Sequence, residues 1–265
     1  MRLNAFWLKI IAVFGMITNH TVIALWEVLP WWLAAPMYAL GGLTFPIMAF
    51  FVVEGYRNTS NLTKYIMRLA VFGIIAAFFH PLVFGMIIFN ILFTIIVGLL
   101  CLVMYDKMQS RPLFWVLFCL IVIGTAMFDW GIYGVVIILL MHIIRNEKTR
   151  RTLPLIIIGL FMLSSSLMMV LSMWALNQTP DGFFVEILAK FGLNDMEYLW
   201  VTSTFGIGIL VAAFLLKNFN GERGHRAKWL FYIIYPLHLA IIGGIAFALG
   251  LIDLSVFNIF GIIGL

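Results

Sequence analysis

Residues 6–26 read FWLKIIAVFGMITNHTVIALW, an apolar run in which Lys9 is the one side chain charged at neutral pH. A helix needs about 20 mainly apolar residues to cross the hydrocarbon core of a bilayer, and this run meets that length. Similar runs follow at residues 31–53, 64–84, 87–104, 113–128, 131–144, 153–174, 198–216 and 228–250. The pattern predicts an all-α transmembrane helical bundle of about nine spans, forming one integral membrane domain over residues 1–265.

The composition excludes an ordinary soluble domain. The chain has 265 residues, of which 64% are hydrophobic and 10% charged, and its mean hydropathy is +1.12. Soluble domains have about 45–50% apolar and about 25% charged residues. A soluble globule of this size could not remove so much apolar surface from water, whereas a lipid bilayer accommodates it.

Two segments depart from the regular pattern. The fifth and sixth runs are short and joined tightly through Asp129 and Trp130, so a helical hairpin that does not cross fully is an alternative for them. Residues 254–265 are apolar but too short to span, and a position in the membrane interface suits them.

The distribution of basic residues predicts the orientation. The net charge is +5, but most of the Lys and Arg side chains lie in or beside short loops after the second, fourth, sixth and eighth runs, so they indicate topology and not nucleic-acid binding. The long loop 178–197 is instead mainly acidic. Basic loops remain on the cytoplasmic side, which predicts the N-terminus inside, the C-terminus outside and a location in the inner (cytoplasmic) membrane of the cell.

The first run contains polar side chains that are costly in hydrocarbon. Lys9 and His20 are eleven positions apart, about 20° beyond three full helical turns, so both lie on one stripe with Lys9 near the cytoplasmic surface and His20 about 16 Å deeper. Asn19 lies beside His20. Ionisable residues inside a span are candidates for function. The alternative is a snorkelling lysine and a histidine that bonds a neighbouring helix.

Other polar pairs recur at helical spacing. Glu54 and Arg57 are three positions apart, so they either form an ion pair or Glu54 orients Arg57 toward an anion. Asn90 and Thr94 share a face that bonds either a ligand or another helix, with the helix favoured slightly.

The ninth run combines a polar stripe with a proline. Tyr232, Tyr235 and His238 fall near one face, and Pro236 removes a backbone hydrogen bond and kinks the helix. A kink beside polar groups inside a membrane indicates a cavity wall.

The remaining polar and small residues have structural interpretations. His80 and His142 lie at predicted span ends and are assigned no function, and Asp129 is expected in an exposed loop. The glycine pairs at 41–42 and 243–244 are expected to permit close helix packing. The two cysteines, Cys101 and Cys119, have no metal-ligand spacing, so no metal is expected.

Several stretches together resemble the TraX family, whose named member acetylates conjugative pilin. The Lys9–His20 spacing is similar to the Arg/Lys-x10-His signature of acyltransferase-3-like membrane acyltransferases. The family stretches, in order, are LKIIA (8–12) with NH (19–20), FPIMAF (45–50), EGYR (54–57), KYIMRL (64–69), NILFT (90–94), DWGIYG (129–134) and FYIIYPLHL (231–239). Asn19 departs from the family, whose members commonly have Asp there.

The resemblance implies transfer of an acetyl group from cytoplasmic acetyl-CoA. The basic residues expected to bind the CoA phosphates are Lys9, Arg57 (oriented by Glu54), Arg68 and Lys228. His20, beside Asn19, is expected to act as general base on an acceptor amine or hydroxyl. Donors expected at the oxyanion are Asn90, Tyr235 and His238. The implied acceptor is a surface protein such as a pilin N-terminus, or a cell-surface glycan.

Two other classes remain as alternatives. One is a transporter in which the buried His and Lys line a solute path, although no internal repeat is visible in the sequence. The other is a membrane assembly factor for a surface organelle that carries out no chemistry.

Overall fold

The fold comes from a computed structural model that describes residues 3–86, 88–176, 196–225 and 228–252. These parts of the chain are helical and contain no β-strand. The helices are α1 (Ala5–Ala24), a 3₁₀ turn (Trp26–Val28), α2 (Trp31–Gly41), α3 (Thr44–Asn58), α4 (Leu62–Ala77), α5 (His80–Phe84), α6 (Ile91–Lys107), α7 (Arg111–Gly124), α8 (Gly131–Ile143), α9 (Glu147–Leu176), α10 (Met196–Ser203), α11 (Phe205–Lys217) and α12 (Lys228–Ala248).

The all-helical class predicted from the sequence is confirmed, and five helical stretches are long and apolar enough to cross a bilayer. They are Ala5–Ala24, Trp31–Asn58, Glu147–Ser172, Glu197–Lys217 and Trp229–Ala248. Helices α6, α7 and α8 are shorter, at 17, 14 and 13 residues. Nine spans with the N-terminus inside therefore stay a prediction. The mainly acidic loop 178–197, apart from its last two residues, and the segment 254–265 lie outside the described residues.

The third predicted span is not one continuous helix. Helix α4 ends at Ala77, and the chain turns before the five-residue helix α5 begins at His80. Gly85 ends α5 with a backbone φ of +65°, a left-handed conformation that glycine adopts without steric cost. This break directs His80 and Pro81 into the protein interior, where both are buried.

Helix α1 packs against α2, α3, α5 and α12. The core around it is apolar, and its largest fully buried side chains include Phe45, Phe50 and Phe114. The outward faces also carry large apolar side chains, such as Phe14, Phe78 and Phe214. An apolar exterior of this extent is unusual for a soluble monomer and suits contact with lipid.

Glycines permit the closest helix crossings. A Cβ at Gly41 would overlap Asn19 of α1, one at Gly42 would overlap the Phe205 carbonyl oxygen, and one at Gly243 would lie 2.6 Å from Leu82 Cβ. The predicted packing role is confirmed at these three positions. It is wrong for Gly244, whose Cβ would meet no atom within 4 Å because this face of α12 points outward.

The predicted orientation is testable with topology reporters. Fusions near residues 60, 108, 148 and 222 are expected to report the cytoplasm, because basic loops resist translocation, and one near residue 185 is expected to report the outer side. Paired alkaline phosphatase and green fluorescent protein fusions in intact cells measure this directly. Cytoplasmic fluorescence from the fusion at residue 185 would overturn the orientation.

Candidate functional site

A cavity of about 640 Å³ opens between α1, α3, α4, α12 and the segment 219–225 that follows α11. Its outer part is bordered by exposed residues, including Asn58 and Gly221. Its inner part reaches the buried side chains of Leu92, Ile95 and Tyr235. The volume lies in the range of small-molecule sites, which are commonly about 300–1,000 Å³.

Cations predominate at the outer part of the cavity. The charged residues that line it are Lys9, Arg68, Arg223, Glu54 and Glu222. The Lys9 Nζ lies 4.8 Å from the ring centroid of Phe51 and 5.7 Å from that of Phe231, so the ammonium is held between aromatic faces. The Arg68 Nε is buried without a hydrogen-bond partner in the described residues. Both cations border the cavity, and Arg68 also hydrogen-bonds the Tyr232 hydroxyl there.

The inner end of the cavity meets a pair of buried histidines. Tyr235 lines the cavity, and its ring centroid lies 5.6 Å from that of His238. The His238 Nε2 lies 2.7 Å from the His20 Nδ1, and the two ring planes are inclined by 19° with their centroids 4.9 Å apart, as for two imidazoles that meet edge to edge. His20 and His238 are 7% and 5% exposed. His20 itself does not border the cavity in the described structure, so Tyr235 and His238 connect it to the cavity.

Helices α1 and α12 run side by side in the same direction. Lys9 faces Phe231 near the start of α12, and His20 faces His238 further along it. The predicted common face of Lys9 and His20 is therefore confirmed, because both side chains contact α12. The predicted stripe on α12 is confirmed as well: Tyr232 and Tyr235 line the cavity, and His238 follows on the same side.

A third histidine, His80, lies beside this pair, although its sequence position predicted the end of a span and no function. Its ring stacks on Phe84 with centroids 4.1 Å apart, and Phe84 contacts His20 edge-on at 5.1 Å. His80 is 1% exposed, and neither ring nitrogen has a hydrogen-bond partner among the described residues. His80 was predicted at the end of a span. The break between α4 and α5, just before His80-Pro81, places it in the core instead.

Asn19 and Asn90 have structural contacts. Asn19 packs against Gly41 of α2, and its Nδ2 is buried without a hydrogen-bond partner in the described residues. The Asn90 Oδ1 accepts a hydrogen bond from the Leu92 N–H at 3.1 Å and caps α6, while its Nδ2 donates to the Gly73 carbonyl at 2.8 Å. The helix-bonding interpretation of Asn90 is thus confirmed. The Asn90 Nδ2 has a second N–H, so the donation to an oxyanion expected for it stays a prediction.

Glu54 and Arg57 do not pair with each other. The Glu54 carboxylate lies 2.6 Å from Arg150 of α9, a side chain only 2% exposed. Arg57 donates to the His142 carbonyl at 2.9 Å and lies 3.7 Å from Glu147. The predicted ion pair is wrong, because the tertiary structure brings Arg150 to Glu54 and Glu147 to Arg57. The alternative, in which Glu54 orients Arg57 toward an anion, stays a prediction.

The other residues predicted to bind acetyl-CoA differ in whether they border the cavity. Arg68 borders the cavity, whereas Arg57 does not. The side chain of Lys228 lies outside the described residues.

His142, assigned no function, contacts Asp106 at 2.9 Å near the same end of the bundle as Arg57, and Tyr56 donates to the same carboxylate at 2.8 Å.

The fold and site together describe a helical, lipid-compatible protein with a basic cavity that leads to buried histidines. The family described as TraX protein matches residues 5–246. The chain belongs to the TraX family. It is also 27% identical over 258 residues, covering 90% of this chain and 94% of the relative, to "Probable fimbrial assembly protein FimC, serogroup H1" of Dichelobacter nodosus. No solved structure matches it.

Proposed function

We propose that this protein is a membrane-embedded acetyltransferase that moves the acetyl group of cytoplasmic acetyl-CoA to an acceptor amine or hydroxyl. The observation that carries the proposal is the cavity whose outer part holds Lys9 and Arg68 and whose inner end is Tyr235, in contact with the His238–His20 pair. Cations and a buried imidazole at opposite ends suit a ligand with anionic phosphates at one end and a reactive thioester at the other.

The phosphates of acetyl-CoA would be held at the outer part. Ammonium and guanidinium groups bind phosphate through charge-assisted hydrogen bonds, with arginine able to bind in bidentate fashion. Lys9, Arg68 and Arg223 provide these groups. The narrow pantetheine arm would extend along the apolar wall formed by Leu92 and Ile95 toward Tyr235.

The chemistry assigned to the inner end is general-base catalysis. The acceptor nitrogen or oxygen attacks the thioester carbonyl while His20 takes its proton, and the tetrahedral intermediate collapses with loss of CoA thiolate. The thiolate then takes the proton that His20 holds, so that acetylated acceptor and CoA are the products and His20 returns to its neutral form. The Tyr235 hydroxyl is buried without a well-aligned hydrogen bond in the described residues, although the Ile91 N–H interacts with it, and it is the proposed donor to the oxyanion.

The acceptor is proposed to be a subunit of a surface fibre. The relative from Dichelobacter nodosus is named as a fimbrial assembly protein, and the TraX resemblance implies a pilin N-terminus. A surface glycan is the alternative acceptor. A mass increase of one acetyl group on a pilin or glycan, present only in cells with the intact protein, would identify which one is modified.

A second candidate is an assembly factor without acyl transfer, which the printed name of the relative favours. Release of CoA from acetyl-CoA by the purified protein, supplied with membranes that contain the acceptor, tests the two against each other. Release of CoA from acetyl-CoA would support the acetyltransferase. Loss of surface fibres in a deletion strain, with no thioester consumption by the protein, would support assembly. Uptake of a labelled solute into proteoliposomes without thioester consumption would instead indicate a transporter.

The outer cations are expected to determine acetyl-CoA affinity. Lys9→Gln and Arg68→Gln are each expected to raise the Kd for acetyl-CoA about tenfold, since a hydrogen bond to a charged group contributes about 1.5–3 kcal/mol and about 1.4 kcal/mol is a factor of ten. Isothermal titration calorimetry of the protein in nanodiscs measures this. Lys107→Gln is the matched control, because Lys107 is exposed and lies outside the cavity. Equal affinity losses in all three variants would contradict the assignment.

A further inference from the structure

A chain of two hydrogen bonds determines where the protons lie on the paired histidines. The His238 Nδ1 lies 2.9 Å from the Ile234 carbonyl oxygen, and the His238 Nε2 lies 2.7 Å from the His20 Nδ1. A carbonyl oxygen only accepts, so the His238 Nδ1 carries a hydrogen and donates it. A neutral imidazole has one N–H, so the His238 Nε2 is then an acceptor.

The proton between the two rings therefore belongs to His20. Its Nδ1–H donates to the His238 Nε2, which leaves the His20 Nε2 unprotonated, with a free lone pair. A doubly protonated His238 would reverse this order. However, a buried cation needs a paired anion, and the described residues place no carboxylate in hydrogen-bond or ion-pair contact with His238.

We propose that His238 is the positioning residue of the site: it holds His20 in the tautomer whose Nε2 is the base that accepts the proton of the acceptor. This inference rests on the proposed acetyl transfer. When the His20 Nε2 takes up a proton, the Nδ1–H bond to His238 is kept and strengthened, since hydrogen bonds from a charged donor are stronger than neutral ones. His238 thus orients and stabilises the imidazolium.

The same assignment explains two other features. Asn19 packs against Gly41, and in this assignment the group that orients His20 comes from α12 and not from the residue before His20. His238 has no N–H left for an oxyanion, so the role expected for it from the sequence is reassigned to the Tyr235 hydroxyl. His80 of α5 is a further polar group near the base, and its ring nitrogens have no partner in the described residues.

Two substitutions separate positioning from packing. His238→Gln keeps an acceptor, because the Gln Oε1 can take the Nδ1–H of His20, whereas His238→Leu keeps the volume and removes the acceptor. His238→Leu is expected to lower the initial rate of CoA release about 100-fold, and His238→Gln to stay within about tenfold of the wild type. The Kd for acetyl-CoA is expected to be unchanged in both. His142→Gln and His142→Leu, in a separate cluster, are the matched controls.

Nitrogen-15 NMR of histidine-labelled, full-length protein in nanodiscs reads the tautomer directly, with the His20 signals assigned from a His20→Gln spectrum. The expected result is an Nδ1–H, Nε2-unprotonated His20 in the wild type and in His238→Gln, and loss of that preference in His238→Leu. An Nε2–H tautomer in the wild type, or equal rates for the two His238 variants, would overturn the positioning role. The expected tautomer with no CoA release from the wild type would overturn the acetyl transfer alone.

Discussion

His20→Gln is expected to lower acetyl-CoA-dependent CoA release by about 10²–10⁴-fold, the usual contribution of a positioned general base. The physical reason is that glutamine fills the space but has no basic nitrogen to receive the proton of the acceptor. The Kd for acetyl-CoA should change little, because His20 does not border the cavity in the described structure. The rate is measured with purified protein and acceptor-containing membranes, by stopping the reaction at set times and determining the free thiol of the released CoA.

The control for this substitution is His142→Gln. His142 is bonded to Asp106 at 2.9 Å, in a cluster separate from the cavity lining, so its loss should leave turnover within about twofold of the wild type. Similar rates in the two variants would show that the base has been assigned to the wrong residue. Loss of acetyl-CoA binding in His20→Gln would indicate that His20 maintains the shape of the cavity.

Gly208→Ala is expected to cause the largest loss of stability from a single methyl group. A Cβ at Gly208 would overlap the Ala39 carbonyl oxygen and lie 2.9 Å from the Gly42 Cα, so helix α11 would have to move away from the α2–α3 junction. Overpacking in a core costs about 1–3 kcal/mol and occasionally more, and here the clash is with backbone that cannot rotate away. We expect a loss at the upper end of this range.

Gly244→Ala is the matched control. Gly244 also lies within a helix, and its added Cβ would meet no atom within 4 Å. Alanine is favoured over glycine in helices by about 0.8–1.0 kcal/mol, so this variant should be as stable as the wild type or slightly more so. Thermal unfolding in detergent, followed by tryptophan fluorescence and the monodisperse fraction after heating, compares the two. Equal midpoints would contradict the close contact at Gly208.

Local periodicity accounts for the part of the site that was predictable. Lys9 and His20 lie on one face of α1, and Tyr232, Tyr235 and His238 on one face of α12, because a helix repeats every 3.6 residues whatever it packs against. The two faces were predicted separately. That they face each other, and that His238 bonds His20, follows only from the parallel packing of α1 and α12.

The ion-pair partners of Glu54 and Arg57 were not predictable from their spacing along the sequence. Glu54 was expected to act with Arg57, but Arg150 lies closer to its carboxylate and is more deeply buried. The tertiary structure brings the start of α9 to the end of α3, so it decides which partner is selected. For the same reason Arg57, predicted to bind acetyl-CoA, lies instead against Glu147 and the His142 carbonyl.

The sequence by itself determined that the chain is an apolar helical protein, where most helices lie and which side chains share a helical face. These properties depend on composition and on a repeat set by the backbone alone. The tertiary structure decided the break that buries His80, the cavity between α1 and α12 and the pairing of His20 with His238. These depend on how closely helices approach, which glycines such as Gly42 and Gly208 control through contacts between residues far apart in the chain.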